Sequence, residues 1–478
     1  MKPNEALRRE GEWRSLWSEG PWRRGTPERS PVTGTQSPGQ ADSGLDRVRA
    51  AAKRDRTLRL TNLMHHLDVE LLRRAYQALN RKAARGVDGL SWEDYGQGLD
   101  VRLLDLHSRI HGGRYRPQPV RRVWIPKADG RQRPLGVTSI EDKLVQQALV
   151  FLLNPIYETE FKGFSYGFRP GRSQHDALDA LHVAITQRKV SWILDTDISA
   201  FFDCVDHDWL LKFVAHRVGD RRVLRLIERT LTAGVMEGEQ WHPSQAGTPQ
   251  GGVLSPLLAN IYLHYSLDLW ADAWRKRHAR GEVYIVRYAD DAVLGFQYRD
   301  DANRFRRALT ERLAKFSLEL HPEKTRLVEF GRFAATNRSQ RKEGKPETFA
   351  FLGFTHICGK RRSDGRFTVH RTTVNKRLRE FVGTLNDWLR TNRHLPVAAQ
   401  GRFVRQALQG FANYFGVPGN IGALSAARTQ VCRAWFRALR RRSQKAVRLN
   451  WRKMQSVIRQ WVPSMRIVHP HPNARLRV

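Results

Sequence analysis

Three aspartates stand where metal-dependent phosphoryl chemistry needs carboxylates. Asp197 follows the apolar run VSWIL (190–194) in the segment DTDISAFFD, and Asp290 and Asp291 sit midway along EVYIVRYADDAVLGFQ (282–297). Both apolar runs demand burial on at least one face, so the acids at their ends are held on a rigid sheet. Adjacent carboxylates repel each other, and a tight buried turn is a costly place for them without a cation. Mg²⁺ takes oxygen ligands, usually one or two carboxylates together with substrate phosphates. Two such ions about 4 Å apart can activate an attacking hydroxyl and stabilise a leaving oxygen. An Asp-Asp pair alone reads more often as a plain turn, so the flanking sequence must decide.

The elements that would position these acids are visible as periodicity. Apolar residues at helical spacing mark 67–84, 99–110, 139–154, 174–187, 206–218, 221–234, 255–279 and 300–318 as helices. VRRVWIP (120–126) reads as a strand broken by the ADG turn at 128–130, and 282–297 reads as a hairpin. Short strands are expected near 326–330, 349–355 and 366–370, and only helices beyond residue 372. Strands interspersed with helices, then helices alone, predict an α+β domain followed by an all-α one.

The charge narrows the partner. Lys and Arg number 83 against 47 Asp and Glu, a formal +36 with a pI near 11.0. Such a chain repels itself unless a polyanion neutralises it, and nucleic acid is the usual one. Cys204, Cys358 and Cys432 lie far apart, which argues against a disulfide framework or a cysteine-rich zinc site and fits a reducing compartment. With no run of about 18 apolar residues and no signal-peptide core, the expectation is a cytoplasmic, bacterial protein without a membrane partner. Residues 1–45, rich in Pro, Gly, Ser and Arg, read as a disordered basic arm whose Trp13, Trp17 and Trp22 could stack on bases.

YADD between apolar runs resembles the signature of reverse transcriptases. RVWIPKADGRQRPLGV (122–137), YGFRPGRS (166–173), DTDISAFFDCVDH (195–207), GTPQGGVLSPLLANIYL (247–263), HPEKT (321–325) and FLGF (351–354) follow that family's order, and together they resemble its group II intron branch. The resemblance spans about 60–370, and GVDGLSWEDY (86–95) resembles the branch's N-terminal extension block. It implies a right-hand polymerase, with fingers and an antiparallel palm sheet over 46–370, a helical thumb or maturase domain X over 371–446, and a basic nucleic-acid-binding tail over 447–478.

The roles it implies fall on matched positions. Asp197, Ile198, Asp290 and Asp291 would face two Mg²⁺ ions, for which Mn²⁺ could substitute, with Asp197 rather than Asp195 shared between them. Lys127 and Arg133 would grip the incoming dNTP, since Arg forks onto phosphate oxygens and Lys acts as a point charge. Phe202 would be a steric gate against a ribose 2′-hydroxyl, with ordinary core packing as the alternative. Gln250 would line the nascent base pair. Lys324 would stand near the leaving pyrophosphate, or else be a plain surface lysine. Phe351, Leu352 and Gly353 would form the primer grip, unless they are simple packing.

From Arg428 to Val478 there are 14 Lys and Arg and no Asp or Glu, with Trp435, Trp451 and Trp461 interleaved. Val431, Trp435 and Leu439 share one helical face, which turns Arg433, Arg437, Arg440, Arg441 and Arg442 outward. Cations without acids read as a phosphate footprint. The region after residue 446 shows no zinc-like spacing, so an HNH endonuclease is not expected, and HPHP (469–472) reads as a rigid extended tail. The expected function is an RNA-directed DNA polymerase working with intron RNA, an RNA template, a DNA primer and dNTPs, and aiding splicing. The alternatives are a non-catalytic maturase, whose acidic blocks would be damaged, and a retron or defence-type enzyme, which would lack so long a basic extension. The sequence leaves the oligomeric state open.

Overall fold

A computed structural model describes residues 43–126, 132–244, 246–361 and 363–475. Lys127 and nearly all of the N-terminal arm lie outside the described residues; the arm's last three residues already belong to helix Ser43–Arg54. The chain divides into two units, residues 35–177 with 194–327, and residues 178–193 with 328–478.

Among the described residues eight strands lie in or run into the first unit: β1 (Val120–Pro126), β2 (Gln132–Val137), β3 (Trp192–Thr196), β4 (Val235–Glu237), β5 (Gln240–His242), β6 (Val283–Tyr288), β7 (Asp291–Phe296) and β8 (Arg326–Glu329), of which β3 begins and β8 ends in the second unit. They form two sheets, ordered β2-β1-β4-β5 and β6-β7-β3-β8. The β1–β2, β4–β5 and β6–β7 pairs are antiparallel, while β1 meets β4 in parallel. The fold is therefore α+β with antiparallel hairpins, as the order of periodic segments predicts.

Helix Ile140–Tyr157 is apolar on most of its surface and fills the interior, with Leu144, Leu149, Leu152 and Ile156 fully buried. It packs against helices Val69–Ala78 and Ser43–Arg54. The open carbonyls at the end of Ser43–Arg54 are met by Arg217, itself fully buried, which donates to Ala52, Asp55 and Arg56 and pairs with Glu160 at 2.5 Å.

Differences from the sequence reading are local. Strand β2 was not expected, because Pro134 and Gly136 break its alternation; it exists by pairing with β1 over six positions. The helix expected over 255–279 is three pieces, Ser255–Leu263, a π-helical turn His264–Asp268, and Leu269–Arg277. Periodicity of 3.6 does not register one inserted residue.

The second unit holds β9 (Phe349–Phe351), β10 (Phe354–Lys360) and β11 (Phe367–Thr373) in the order β11-β10-β9, then helices Asn375–Thr391, Val397–Phe415, Ile421–Arg440 and Trp451–Trp461. Trp435 is fully buried and donates from Nε1 to Gln400 at 2.8 Å. Gln400 donates in turn to the carbonyls of Asn392, Arg393 and Leu395, closing the turn between two helices. Residues 451–475 fold back instead of trailing. The Trp461 ring lies on Gly401, where a Cβ would approach it to 2.4 Å, and Arg428 donates to Pro463 O. HPHP is docked as well, with the N–H groups of Val468 and His469 both on the Gly416 carbonyl. Among the described residues no helix is long and apolar enough to cross a membrane.

Candidate active site

The YADD segment closes the β6–β7 hairpin, with Tyr288 opposite Asp291 and only Ala289 and Asp290 in the turn. Two-residue hairpins need positive φ, and Ala289 adopts φ 58° without being glycine. Strand β3 lies beside β7, tied by the Thr196 hydroxyl to the Ala292 carbonyl at 2.7 Å. Asp195 and Asp197, two residues apart, share one face of that strand direction. An isolated bridge pairs Ile198 with Leu320 through the Ser199 N–H and the Asp197 carbonyl. In such a bridge the Ile198 carbonyl points away from Leu320.

Four carboxylates thus converge, one more than the motifs name. Burial pushes Asp290 up from the ordinary range, Asp197 adds to this, and Arg133 and Arg287 oppose it. Asp291 still has exposed surface, but protein atoms crowd its carboxyl on the other sides. That desolvation, with Asp290, Asp197 and Asp195 adding, pushes it up to about 7. Asp195 is pushed up to about 6, mainly by burial and then by Asp197, against Arg326. Its signal in the sequence was its two-residue spacing from Asp197.

The donor set fits Mg²⁺. It is all hard oxygen, and its mutual repulsion is what a divalent cation relieves. Among the described residues no three His, Cys, Asp or Glu side chains form a ready-made coordination group. Mg²⁺ commonly manages with one or two carboxylates and substrate phosphates. Lys324 Nζ stands 2.8 Å from Asp197 Oδ2, a cation already placed against the cluster.

The other matched residues separate into two groups. Phe202, Gln250 and strand β2 line one cleft of about 330 Å³ in the first unit. Phe202 is half-buried, edge-on to the buried Phe201, so it is not a sealed core residue. Its carbonyl accepts from Thr248 at 2.8 Å. Gly247 (φ 85°) passes so close that a Cβ would lie 2.9 Å from the Phe202 carbonyl oxygen. The Gln250 carbonyl accepts from Gly136 N–H at 2.6 Å, which sews this loop to β2. Arg133 is exposed on β2 opposite Ile125.

Phe351, Leu352 and Gly353 belong to the second unit. Leu352 (φ 48°) and Gly353 (φ 80°) are the two-residue turn between β9 and β10, and Tyr414 donates to the Leu352 carbonyl at 2.8 Å. Phe351 is buried. Arg433, Arg437, Arg440, Arg441 and Arg442 are all exposed along and just past helix Ile421–Arg440, and Arg442 donates to the His394 carbonyl.

Residues 125–356 match the family model described as "Reverse transcriptase (RNA-dependent DNA polymerase)". Protein YkfC of Escherichia coli K12 is 32% identical over 372 residues, covering 70% of this chain and 92% of that protein. This chain belongs to the group II intron reverse transcriptase and maturase family. Group II intron-encoded protein LtrA of Lactococcus lactis is 39% identical over 192 residues, 40% of this reverse transcriptase and 32% of LtrA. A nuclear intron maturase 2 of Arabidopsis thaliana mitochondria is 28% identical over 178 residues, 28% of this chain and 23% of the plant protein. The chain therefore spans only about a third or less of those two relatives. RNA-dependent DNA polymerisation is the activity that gives the matched family its name.

The crowding of Asp291 has a signed consequence. Its native carboxyl stays protonated up to about 7, while the unfolded chain loses that proton near 3.8. Without divalent cation, this group's contribution to stability therefore falls as pH rises between those values. Asp291→Asn cannot ionise. In EDTA the variant should melt above the parent at about pH 8, with the gap closing toward about pH 4. A gap of equal size at both pH values would mean that Asp291 is not crowded.

Proposed function

We propose that this chain is a catalytically competent RNA-directed DNA polymerase that copies RNA, including its partner intron, from a DNA primer and also helps that intron to splice. The observation that carries the reading is the convergence of Asp195, Asp197, Asp290 and Asp291 at one end of the neighbouring strands β3 and β7. Asp197, Asp290 and Asp291, with the Ile198 carbonyl, would hold two Mg²⁺ ions. When bound, such ions lower the pKa of a primer 3′-hydroxyl and stabilise charge on the leaving pyrophosphate.

The chain's own residues then orient and select. Lys127 and Arg133, the latter on β2, hold the triphosphate, Arg133 by its forked donors. Phe202 fills the space a 2′-hydroxyl would occupy, and Gln250 lies along the nascent base pair. Lys324 exchanges Asp197 for the pyrophosphate, to which it can give a proton. The Leu352–Gly353 turn, with Phe351, supports the primer end. In hand terms, the sheets of the first unit correspond to fingers and palm, and the helices of the second to thumb and domain X.

A second reading keeps RNA binding without synthesis, and the relative named as a maturase favours considering it. The two part on one measurement. Asp290→Asn should abolish primer extension with dNTPs and Mg²⁺ or Mn²⁺ while RNA binding persists. A folded parent that extends no primer would leave the non-catalytic maturase.

Phe202→Ala should raise rNTP incorporation relative to dNTP by roughly one to two orders of magnitude, the factor one removed steric contact is worth. Unchanged selectivity would return Phe202 to a packing role.

For the exposed arginines the readout is salt. Replacing Arg437, Arg440, Arg441 and Arg442 by Ala removes four candidate phosphate contacts. The slope of log affinity against log salt for structured RNA should flatten by roughly 0.7–0.9 per lost contact. Extension of a short pre-annealed primer–template at saturation should suffer much less. An unchanged slope would show that this face is not the RNA anchor.

A further inference from the structure

Behind the YADD turn lies a buried cation that no part of the chemistry above uses. Arg287, on β6 three residues before Asp290, is fully buried. A guanidinium has five N–H donors, and here five hydrogen bonds leave it. Nε and one terminal nitrogen fork onto the buried Asp268 carboxylate at 2.7 and 2.5 Å. That same terminal nitrogen reaches Ser165 Oγ at 2.7 Å. The other meets Asn260 Oδ1 at 3.1 Å and the Ala289 carbonyl at 2.8 Å.

We infer that Arg287 is the positioning residue of the catalytic turn: its guanidinium fixes the Ala289 carbonyl, and through it the placement of Asp290 and Asp291. Three observations converge on this. Ala289 is held at φ 58°, a conformation that a side chain disfavours and that needs outside support. Asp268 is the last residue of the π-helical turn His264–Asp268, an insertion that changes which residues of this helix face the hairpin. The backbone of the YGFRP segment closes the remaining side. Tyr166 N–H bonds the Arg287 carbonyl at 2.8 Å, and Arg287 N–H bonds Phe164 O at 2.9 Å. Asn260 Nδ2 holds the Gly167 carbonyl at 2.7 Å, and at Gly167 a Cβ would come within 2.3 Å of Ala289 N.

One guanidinium therefore joins the turn to a helix and to a second loop, and only a planar fork can do so. Lysine could answer the Asp268 charge, but its three donors radiate from one nitrogen and cannot reach five acceptors. The metal carboxylates would then sit on a turn with one wall missing. Outer-shell partners of metal ligands typically govern affinity or activity by 10–100-fold.

The inference rests on the polymerase reading for its consequence in catalysis, so the test includes a readout independent of synthesis. Mn²⁺ binding to the protein alone is followed by electron paramagnetic resonance, with Asp290→Asn identifying the site. Arg287→Lys should weaken that binding by roughly tenfold or more. The single-turnover extension rate, corrected for active fraction by burst amplitude, should fall by a similar factor, with primer–template Kd unchanged. Ser165→Ala removes one neutral acceptor and no charge. It should fold, and should weaken Mn²⁺ binding in the same direction by a smaller factor, which decides the matter if Arg287→Lys does not fold. Parent-like Mn²⁺ affinity and corrected rate in the folded variants would overturn the inference, as would Mn²⁺ binding insensitive to Asp290→Asn. A parent that binds Mn²⁺ at Asp290 but never extends a primer would overturn the polymerase reading alone, leaving the Mn²⁺ comparison to judge Arg287.

Discussion

Four carboxylates are brought to one end of the neighbouring strands β3 and β7, and the cost of burying them near one another is the constraint on which the site depends. Asp195 and Asp291 are both driven upward, first by burial and then by neighbouring carboxylates, Asp197 for the former and Asp290, Asp197 and Asp195 for the latter. A solvated loop would relax such a cluster by moving apart. A strand end and a two-residue turn cannot, because the β6–β7 register and the β3–β7 tie leave the backbone no freedom. The surrounding cations are graded by distance and role. Lys324 pairs directly, Arg133 and Arg326 act through space, and Arg287 supports the backbone from behind. In a divalent-cation site of the kind proposed, stability without the ion and affinity for it would be opposite faces of one electrostatic cost.

The close backbone seams follow from the same need for rigidity. Gly167 meets Ala289, Gly247 meets Phe202, and Gly251 meets the Gly136 carbonyl, each at a separation that excludes a methyl group. Buried guanidiniums do the corresponding work for polar groups. Arg217 and Arg287 each gather carbonyls or carboxylates from distant segments. A buried ion pair adds little net stability over apolar packing, but removing one partner leaves an uncompensated charge. Such residues enforce one arrangement more than they deepen the energy minimum.

The second unit solves a different problem. Its helices bury Trp435, Leu408 and Phe411 and leave arginines on the outside with no acid between Arg428 and Val478. The return of residues 451–475 onto these helices explains how so basic a segment stays ordered. Its apolar side, with Met454 and Ile458, is buried, and its cations Arg452, Lys453, Arg459 and Arg466 are exposed, while Arg475 pairs with the buried Asp179.

Much of this was legible in the chain itself. The 3.6-residue and two-residue periods mark most helices and the 282–297 hairpin, since burial of one face imposes them whatever the topology. The motifs, in order, carry Asp197, Asp290 and Asp291, because the chemistry admits few other residues there. Strand β2 was hidden, as its Pro134 and Gly136 are tolerated only through pairing with β1. The roles of Asp195 and Arg287 were hidden for a related reason. Asp195 matters through its distance to Asp291, 96 positions along the chain, and Arg287 through acceptors reaching back to Ser165. Composition and local period determine which residues are buried and which acids must be held. Which of them become neighbours is decided by strand order and helix insertion, long-range properties that only the folded chain possesses.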